Sequence, residues 1–448
     1  MGEVGRNLVT RIRWSGFTAW KAKGEHKVAF LPAEVLAARQ AARFRALARF
    51  AWEVPFYRDW FREAGAEPGD LRSAEDLARL PLVDKLALTM EPERFTAPGS
   101  EARDGLTLLS SGTSGRRRSF RFTAGALFEA LAAGRRQRLA MAPFIGQEAG
   151  YREAVLNRDG SSGDQIRRFW ESRMISPRGL ELRRRKFLLL SPFPEILAGL
   201  NEFRPDVLRG IGSHVGAFLR WVYETGRFLN KPKAVTYGAD AMPATDRRII
   251  EEELGIPVVS TYQAIEALRI GFQCEVRRGF HLSIDQVAAR VVDASGRDVA
   301  PGERGALVLT NLTNRATVVM NYRLGDLVTL GRGPCPCGRT LPLIEDIDGR
   351  LDDLLVRPGG SSVHALAVLP QLQAVAGVRQ VQIIQEELDD FRLRVVWARG
   401  SAEQNGELRT RMAAALGTDV RVQVDAVEAL PQEPSGKVKT VVCQVAHR

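Results

Sequence analysis

The sequence predicts an α/β fold, with a large layered domain over residues 1–349 and a small α+β domain over residues 350–448. In the central region, helical stretches alternate with short apolar or β-branched runs, the pattern of a layered α/β domain. After Gly349 the pattern changes to a compact series of strands and helices with an apolar core of its own, so a boundary is expected near Asp352. At 448 residues the chain is also too long for one ordinary core.

The first predicted elements are helices. Residues Pro32 to Ala64 carry apolar side chains at helical spacing; Pro55 is expected to end the first helix, and Tyr57 to Ala64 to form a second, short one. The central strands are predicted in short apolar runs. These runs are Val207 to Leu208, Ala234 to Thr236, Val258 to Thr261 and Ala306 to Thr310.

The small domain is predicted to begin with a hairpin in the stretch LLVRPGGSSV. A helix, two strands, a helix and a final strand should follow. Their expected bounds are Ala365 to Leu372, Val378 to Ile384, Phe391 to Trp397, Glu403 to Leu416 and Val420 to Val424.

The net charge of +11 is compatible with nucleic acid, an anionic membrane surface, or polyanions such as ATP and coenzyme A. No zinc finger or RNA-recognition motif occurs, so nucleic-acid binding rests on charge alone and is the weakest of these interpretations. The basic run Arg183 to Lys186 is interpreted as a solvated face rather than a specific anion site. No run is apolar enough for a transmembrane segment, and arginines interrupt the N-terminus where a signal peptide would be apolar, so a cytoplasmic location is expected.

A loop of small and hydroxylated residues follows the predicted strand Leu106 to Leu109. Its residues are Ser110, Ser111, Gly112, Thr113, Ser114 and Gly115. Small residues let the backbone approach an oxyanion, hydroxyl and N–H groups donate to it, and the arginines from Arg116 to Arg118 add positive charge. The pattern fits a triphosphate without being a Walker A motif, although composition alone favours an ordinary loop.

Five further motifs follow this loop. They are YGADAMP (Tyr237 to Pro243), STYQAIE (Ser260 to Glu266), NYRLGD (Asn321 to Asp326), DGRLDD (Asp348 to Asp353) and PSGKVK (Pro434 to Lys439). In this order, over nearly the whole chain, the six motifs resemble the adenylate-forming superfamily of acyl-CoA synthetases, luciferases and adenylation domains. Within it, the chain looks like the phenylacetate–CoA ligase branch, which includes relatives in capsule-biosynthesis clusters. The resemblance implies the adenylate-forming enzyme fold, with a small mobile C-terminal domain.

The resemblance also implies a reaction. A carboxylic acid, expected to be aromatic, reacts with ATP to give an acyl adenylate and pyrophosphate, and coenzyme A then gives a thioester and AMP. The catalytic candidates by resemblance are Lys437, Glu266 and Arg350. Lys437 would contact the carboxylate and phosphate oxygens, and Glu266 would hold Mg²⁺, which prefers such oxygens. Asp326 would bind the ribose hydroxyls, reinforced by Arg350; for all of these residues the alternative is an ordinary surface charge.

The remaining candidate residues line the two substrate sites. Tyr262 offers a flat face to adenine, and the turn Gly238, Ala239 and Asp240 can approach its edge. The acyl pocket is expected to involve Gly212, Ser213, His214, Tyr237 and Gln263. His214 is either a polar specificity contact or packs a helix start, and the second interpretation is preferred.

Asp352 lies where the family has its hinge. By resemblance, the small domain rotates there after adenylation, withdraws Lys437 and presents the turn Pro358 to Gly360, past which a pantetheine thiol could reach the site. The alternative for that turn is an ordinary hairpin turn.

The chain departs from the family pattern Y-G-x-T-E at two positions. Gln263 replaces the glycine and Ile265 replaces the hydroxyl residue that would touch the α-phosphate. These departures predict either slow adenylation or an altered acyl pocket. Two other functions stay open: transfer of the acyl group to an amine or another acceptor instead of coenzyme A, and a degenerate member that binds nucleotide without turnover. The oligomeric state, monomer or homodimer, is also open.

The cysteine spacing suits a metal better than a disulfide framework. Cys274 and His281 are close in sequence, and Cys335 and Cys337 form CPCGR further on. Three thiolates and one imidazole make a closed tetrahedral set of the structural zinc type. Members of the branch show a similar pattern, so structural Zn²⁺ is predicted; free buried thiols are the alternative. Cys443 is the one cysteine of the sequence outside this predicted ligand set.

Overall fold

The computed structural model describes residues 3–102, 104–110, 118–175, 183–350, 354–359, 361–365, 368–398, 403–431 and 438–445. By its internal contacts the chain divides into a large unit, Met1–Leu324 with Thr329–Asp346, and a small unit, Gly325–Val328 with Ile347–Arg448. The expected boundary between residues 349 and 350 stays a prediction, and the hinge residue Asp352 lies outside the described residues.

Helices occupy much of the large unit. They are α1 (Glu3–Lys23), α2 (Glu25–Val28), α3 (Ala33–Ala51), α4 (Pro55–Glu63), α5 (Lys85–Met90), α6 (Ala124–Ala133), α7 (Arg135–Ile145), α8 (Ser162–Arg173), α9 (Phe193–Phe203), α10 (Gly212–Glu224) and α11 (Ala244–Arg248). Short 3₁₀ turns cover Pro68–Asp70, Ala74–Arg79, Pro92–Phe95 and Ser100–Ala102, and a π turn covers Ile249–Glu253. Across the described part of the chain, every helix is too short or too polar to cross a bilayer.

The helices expected between Pro32 and Ala64 are present as α3 and α4. α3 buries Leu36, Phe44 and Leu47 at helical spacing, and this burial explains why the apolar pattern of the sequence predicts a helix here. Pro55 does not end the first helix, which stops at Ala51; it begins α4 instead. Proline suits that position because the missing N–H would be unpaired there anyway.

The main sheet of the large unit is mixed. Its strands are β3 (Arg152–Asn157), β4 (Arg183–Leu188), β5 (Val207–Ile211), β6 (Ala234–Gly238), β7 (Val258–Tyr262), β8 (Gly271–Phe272), β9 (Phe280–Leu282), β10 (Val287–Val292), β11 (Arg304–Asn311), β12 (Tyr322–Leu330) and β13 (Leu343–Arg350). Their order is β10-β11-β12-β13-β9-β8-β7-β6-β5-β3-β4. All four central runs predicted as strands lie in β5, β6, β7 and β11, so the predicted α/β class is confirmed.

The part of the sheet from β4 to β7 is parallel and covered on both faces. One face packs on apolar residues of α9 and α10, such as Leu200 and Phe218, and the other on α7 residues such as Met141. Burial on both faces explains the nearly continuous apolar runs of β6 and β7. The carboxyl ends of such strands share one edge, the place where parallel sheets bind ligands.

A separate hairpin precedes this sheet. It consists of β1 (Gly105–Leu109) and β2 (Ser119–Thr123), which pair antiparallel with Leu109 opposite Ser119. The predicted strand Leu106 to Leu109 is therefore present, and the Ser/Gly/Thr motif falls in the sequence between β1 and β2.

The basic run Arg183 to Lys186 lies on β4, an edge strand. Arg184 contacts the buried carboxylate of Glu153, Arg185 donates to Glu202 at 2.7 Å, and Lys186 donates to Asp164 at 2.7 Å. Three of its four cations are thus ion-paired within the large unit.

A buried ion cluster joins α2, α7 and the turn before β10. The Arg136 guanidinium donates two hydrogen bonds of 2.7 Å to Asp285 and one of 2.5 Å to Glu25. Burial opposes ionisation of Asp285, but Arg136 outweighs it and holds the pKa of that carboxyl at about 2. For Glu25 burial outweighs the same guanidinium, so the pKa of Glu25 is raised.

The small unit is α+β, as predicted. Its elements are β14 (Leu354–Val356), β15 (Ser362–His364), α12 (Leu369–Gln373), β16 (Val378–Gln385), β17 (Asp390–Trp397), α13 (Asn405–Leu416), β18 (Arg421–Ala426) and β19 (Val441–Cys443). β14 and β15 form the expected hairpin, and the other strands form a sheet in the order β18-β17-β16-β19. Phe391, Leu408 and Met412 belong to its apolar core. The parallel pairing of β19 with β16 was not predicted.

Candidate active site and metal centre

Two hydrogen bonds join Ser110 and Arg118, the residues at the two ends of the Ser/Gly/Thr loop, which we call its neck. The Ser110 N–H donates to the Arg118 carbonyl at 2.8 Å, and the Arg118 N–H donates to the Ser110 hydroxyl at 3.1 Å. The remaining predicted phosphate-binding residues, Ser111, Gly112, Thr113, Ser114 and Gly115, lie outside the described residues, as does Arg116. The described neck ends on a cation, Arg118.

Glu266 lies beside that neck. Its carboxylate oxygen Oε1 is 4.0 Å from an Arg118 guanidinium nitrogen, and both side chains are more than nine-tenths buried. The Asn311 amide donates to the Glu266 carbonyl at 3.0 Å, and Leu268, two residues on, has a left-handed backbone with φ of 61°. A buried carboxylate beside a buried cation and a small-residue loop is an arrangement in which a metal and a phosphate group could be held.

The turn after β6 contacts the start of α10. Asp240 accepts hydrogen bonds from the Ser213 N–H at 3.0 Å and from the Ser213 hydroxyl at 2.6 Å. A Cβ on Gly212 would stand 2.7 Å from the Tyr237 ring, so only glycine allows this approach. Ala239 has φ of 72°, a strained value for a residue with a side chain. The structure thus brings residues expected for the nucleotide and for the acyl group into direct contact.

Tyr237 is the last residue but one of β6 and Tyr262 is the last residue of β7, the neighbouring parallel strand. Both are nearly buried, and the Thr261 hydroxyl donates to the Tyr237 carbonyl at 3.2 Å. The Gly238 backbone lies close to that hydroxyl, because an added Cβ would stand 2.9 Å from it. Gln263, next in the chain, is exposed, and Ile265 is half-buried.

His214 lies in the first turn of α10 and is buried. Its ring contacts Phe193 edge-on at 5.5 Å between centroids. Burial lowers the pKa of His214 to about 4, so the imidazole is neutral at pH 7. Its Nε2 is buried without a hydrogen-bond partner among the described residues, so the choice between packing and a specificity contact stays a prediction.

Asp326 lies in β12 and Arg350 ends β13, and by their contacts both residues belong to the segments of these strands that group with the small unit. The Arg350 Nε is 3.5 Å from an Asp326 carboxylate oxygen, and the ribose-binding role of the two residues stays a prediction. Lys437 lies outside the described residues.

The four predicted metal ligands form a cluster in the large unit. The three Sγ atoms and the imidazole nitrogen of Cys274, His281, Cys335 and Cys337 all lie within 4.8 Å of one another. Cys274 follows β8, His281 lies in β9, and the two remaining cysteines lie in the loop between β12 and β13. The Cys337 Sγ is 3.3 Å from the His281 Nε2, and the Arg339 N–H donates to Cys337 at 3.5 Å.

The chemistry of this cluster fits a divalent zinc ion. Burial lowers the pKa of His281 to about 4, which keeps the imidazole neutral and able to ligate. Burial raises the pKa of Cys274 to about 12, so its thiolate needs a nearby cation to form. Around the cluster, Arg339 donates twice to Glu275 at 2.8 Å, and the Thr340 N–H donates to the Ala29 carbonyl at 2.8 Å. The cysteine loop is therefore braced against the α2–α3 connection as well.

Sequence reasoning placed Arg118 beside the loop but did not predict its pairing with Glu266, and it missed Asn311. Arg118 was one of three consecutive arginines, and its approach to Glu266 is visible only in the tertiary structure. Asn311 ends β11 and carries no local motif; the signal was its position at the end of a predicted strand.

Three comparisons with known proteins bear on this site. Residues 355–444 match the family model of the CapK C-terminal domain. The phenylacetate–coenzyme A ligase of Thermus thermophilus is 28% identical over 380 residues, covering 82% of each chain, and that of Pseudomonas putida is 27% identical over 344 residues, covering 73% of each chain.

Among solved structures, 2-hydroxyisobutyryl-CoA ligase in its postadenylation state with R3-HIB-AMP superimposes with a TM-score of 0.75 at 21% identity, covering 93% of this chain and 91% of that one. ATP-bound MatB of Rhodopseudomonas palustris gives 0.55 at 18% identity, covering 74% of this chain and 66% of that one. The resemblance to phenylacetate–CoA ligases is confirmed, and the fold is that of the adenylate-forming CoA ligases.

Proposed function

We propose that the protein is an AMP-forming acid–CoA ligase, which activates a carboxylic acid with ATP and passes the acyl group to coenzyme A. The observation that carries the proposal is the pairing of Glu266 with Arg118 at the neck of the Ser/Gly/Thr loop. The similarity to phenylacetate–CoA ligases over 82% of the chain supports the same reaction. An aromatic acid is the proposed substrate class on that likeness.

The chemical requirement of the first step is to bring two anions together, the carboxylate and the α-phosphate. In our proposal, Glu266 holds Mg²⁺, which supplies the positive charge that screens the phosphates. Arg118 adds a fixed cation beside it, and Lys437 contacts the carboxylate and phosphate oxygens. Asp326 binds the ribose, with Arg350 holding its carboxylate, and Tyr262 and the Gly238–Asp240 turn face the adenine.

We further propose that Cys274, His281, Cys335 and Cys337 hold a structural zinc ion. The set supplies four ligands, so it leaves no open position for substrate, and it would clip the β8–β9 region to the β12–β13 loop. The enzyme is proposed to act in the cytoplasm, where ATP and coenzyme A are available, as a monomer or homodimer.

A panel of carboxylic acids tests the activity, with AMP release measured in the presence and absence of coenzyme A. We expect AMP and an acyl-CoA thioester with coenzyme A present, and loss of both in Glu266→Gln. The exposed Glu252→Gln is the matched control and should keep full activity. AMP release that depends on an amine instead would make the protein an amide-forming ligase. Nucleotide binding without AMP release from any acid would show a degenerate member.

A further inference from the structure

The first helix of the chain, α1, presents apolar side chains to solvent. Leu8, Val9 and Ile12 are each more than half exposed, and Trp20 is 68% exposed. With 3.6 residues per turn, these four positions fall within about one third of the helix circumference. They therefore form one continuous strip along α1, which we call the apolar strip.

The opposite side of α1 is packed against the large unit. Trp14 is buried and stacks on Phe128 of α6, with 4.7 Å between the ring centroids. The Arg11 guanidinium donates two hydrogen bonds, of 3.1 Å and 2.8 Å, to the carbonyl of Met174, which follows α8. The helix is thus held by its inner side, and the apolar strip faces away from the elements that hold it.

The exposed apolar surface continues beyond the helix itself. The Ile175 N–H donates to the Ser15 hydroxyl of α1 at 2.9 Å, which places Ile175 beside the helix. The Ile175 side chain is also exposed. Isolated apolar residues are common on protein surfaces, but a contiguous group of them marks a contact with something outside the chain.

The charges around the apolar strip are positive. Residues 3–28, which span α1 and α2, carry six lysines and arginines but only two glutamates. Arg13 and Lys23 on α1 and Lys27 on α2 are exposed, and none of the three is ion-paired within the part of the chain that the structure describes. An anionic partner therefore fits this surface better than a neutral or cationic one.

The combination of charge and apolar surface is typical of a helix that lies on a membrane. Aliphatic side chains enter the boundary between headgroups and acyl chains, and an indole ring suits a place where one end is apolar and the other wet. Lysine and arginine at the edge contact the lipid phosphates. An anionic lipid surface thus satisfies both the apolar strip and the unpaired cations.

A second copy of the chain fits this surface less well. In a symmetric dimer the same patch would face itself, and the unpaired cations of the two α1 helices would repel each other. A stable protein–protein interface also takes roughly 20–30 residues from each partner, which is more than the apolar strip and its flanking cations supply.

We propose that α1 docks the protein on an anionic lipid surface. The apolar strip lies in the boundary between headgroups and acyl chains, and Arg13, Lys23 and Lys27 contact the lipid phosphates. The docking is peripheral and reversible, because α1 stays packed on α6 and is too polar to cross the bilayer. It is a property beyond the proposed ligase reaction, since no substrate takes part in it.

Co-sedimentation of the full-length protein with lipid vesicles tests the docking, in the absence of ATP and acid. Vesicles of phosphatidylcholine alone are compared with vesicles in which phosphatidylglycerol replaces part of that lipid. We expect binding to the anionic vesicles to be tighter by roughly tenfold or more, since each cation near an anionic surface strengthens binding roughly fivefold. High salt should remove this difference, because it screens exposed charges.

Two substitutions separate the apolar and the charged contributions. Ile12→Ser should weaken binding to the anionic vesicles roughly tenfold, because it removes aliphatic surface that the lipid would cover. Arg13→Gln should weaken the same binding roughly fivefold and leave binding to neutral vesicles unchanged. Both side chains are exposed, so both variants should keep the Tm of the wild type.

Phe228→Ser is the matched control for the loss of an exposed apolar residue. Phe228 is 74% exposed and follows α10, which covers the face of the sheet opposite α7, so this variant should bind vesicles as the wild type does. Equal binding of the wild type to neutral and anionic vesicles would overturn the proposal. So would an Ile12→Ser variant of unchanged Tm that binds as tightly as the wild type, or an equal loss in Phe228→Ser.

Analytical ultracentrifugation decides between lipid and a second copy. The wild type and Ile12→Ser should have the same oligomeric state. A wild-type dimer that Ile12→Ser dissociates, with no binding to either kind of vesicle, would assign the apolar strip to a contact between copies and overturn the docking. Ile12→Ser should also keep full AMP release in the absence of vesicles, so the docking and the ligase function stand or fail separately.

Discussion

Replacing Asp285 with asparagine tests how the buried ion cluster stabilises the large unit. Asp285 accepts two 2.7 Å hydrogen bonds from Arg136, and the change keeps its shape while removing its charge. A shift of the Asp285 pKa from its ordinary value to about 2 corresponds to about 2.5 kcal/mol at pH 7, and breaking a buried ion pair costs up to about 5 kcal/mol. For a unit of this length, these values predict a Tm lower by about 4–7 °C.

The pH dependence has a definite sign. The pKa of Asp285 is lower in the folded state, so its contribution is complete above the unfolded pKa and is lost as the pH falls through about 2. The Tm difference between wild type and Asp285→Asn should therefore be constant from pH 7 to pH 5 and fall to roughly half near pH 3.

Glu25→Gln is the matched control in the same cluster. The pKa of Glu25 is raised, so its ionised form disfavours folding above the unfolded pKa, and a neutral isostere removes that penalty. We expect an unchanged or slightly higher Tm. Thermal unfolding of the three proteins between pH 7 and pH 3 measures these effects. Equal Tm losses in the two variants, or an Asp285→Asn loss that does not shrink near pH 3, would refute the reasoning.

Three further predictions concern the site. Lys437→Ala should abolish adenylation of the free acid but leave thioester formation from supplied acyl-AMP largely intact, because only the first step joins two anions; the two half-reactions are assayed separately. Ile265→Thr should raise the adenylation rate roughly tenfold or more, if a charge-assisted hydrogen bond of about 1.5–3 kcal/mol to the α-phosphate is restored. Cys337→Ser should lower the zinc content, the Tm and the soluble yield, with a smaller effect on turnover per folded molecule; purified wild type should carry one zinc per chain by elemental analysis.

Each of these predictions has a matched control in the chain. Lys439→Ala should leave adenylation intact, and equal loss of both half-reactions in Lys437→Ala would show another role for Lys437. Ile265→Val has the shape of the threonine variant without its hydroxyl and should give no gain; an unchanged rate in Ile265→Thr would mean a pocket rebuilt around the isoleucine. The Cys443→Ser variant should keep its zinc, because Cys443 is not one of the four proposed ligands. If the purified wild type contained no zinc, the zinc proposal would be wrong and the four cysteines would be ordinary thiols.

Much of the fold could be predicted because local patterns determine it. The buried runs of β5, β6 and β7 are apolar over several residues since both faces of a parallel sheet are covered, and that pattern is visible without the partners. The strands and helices of the small unit could be predicted for a similar reason, because their apolar residues recur with a clear period. The sequence did not predict α1, α2 or β19. β19 was not predicted because it pairs with β16, a strand more than fifty residues earlier in the chain.

The candidate site, like the fold, could be predicted from the sequence only in part. The sequence by itself determined the motifs and their order, whose family resemblance implies the reaction, and it predicted the four candidate metal ligands, since these depend on residue type and order. Only the tertiary structure decided that Arg118 pairs with Glu266 and that Asp240 is bound by Ser213. Those relations arise where the end of the β1–β2 hairpin meets Glu266 and where the turn after β6 meets the start of α10, so they join residues far apart in the chain and leave no local sequence pattern.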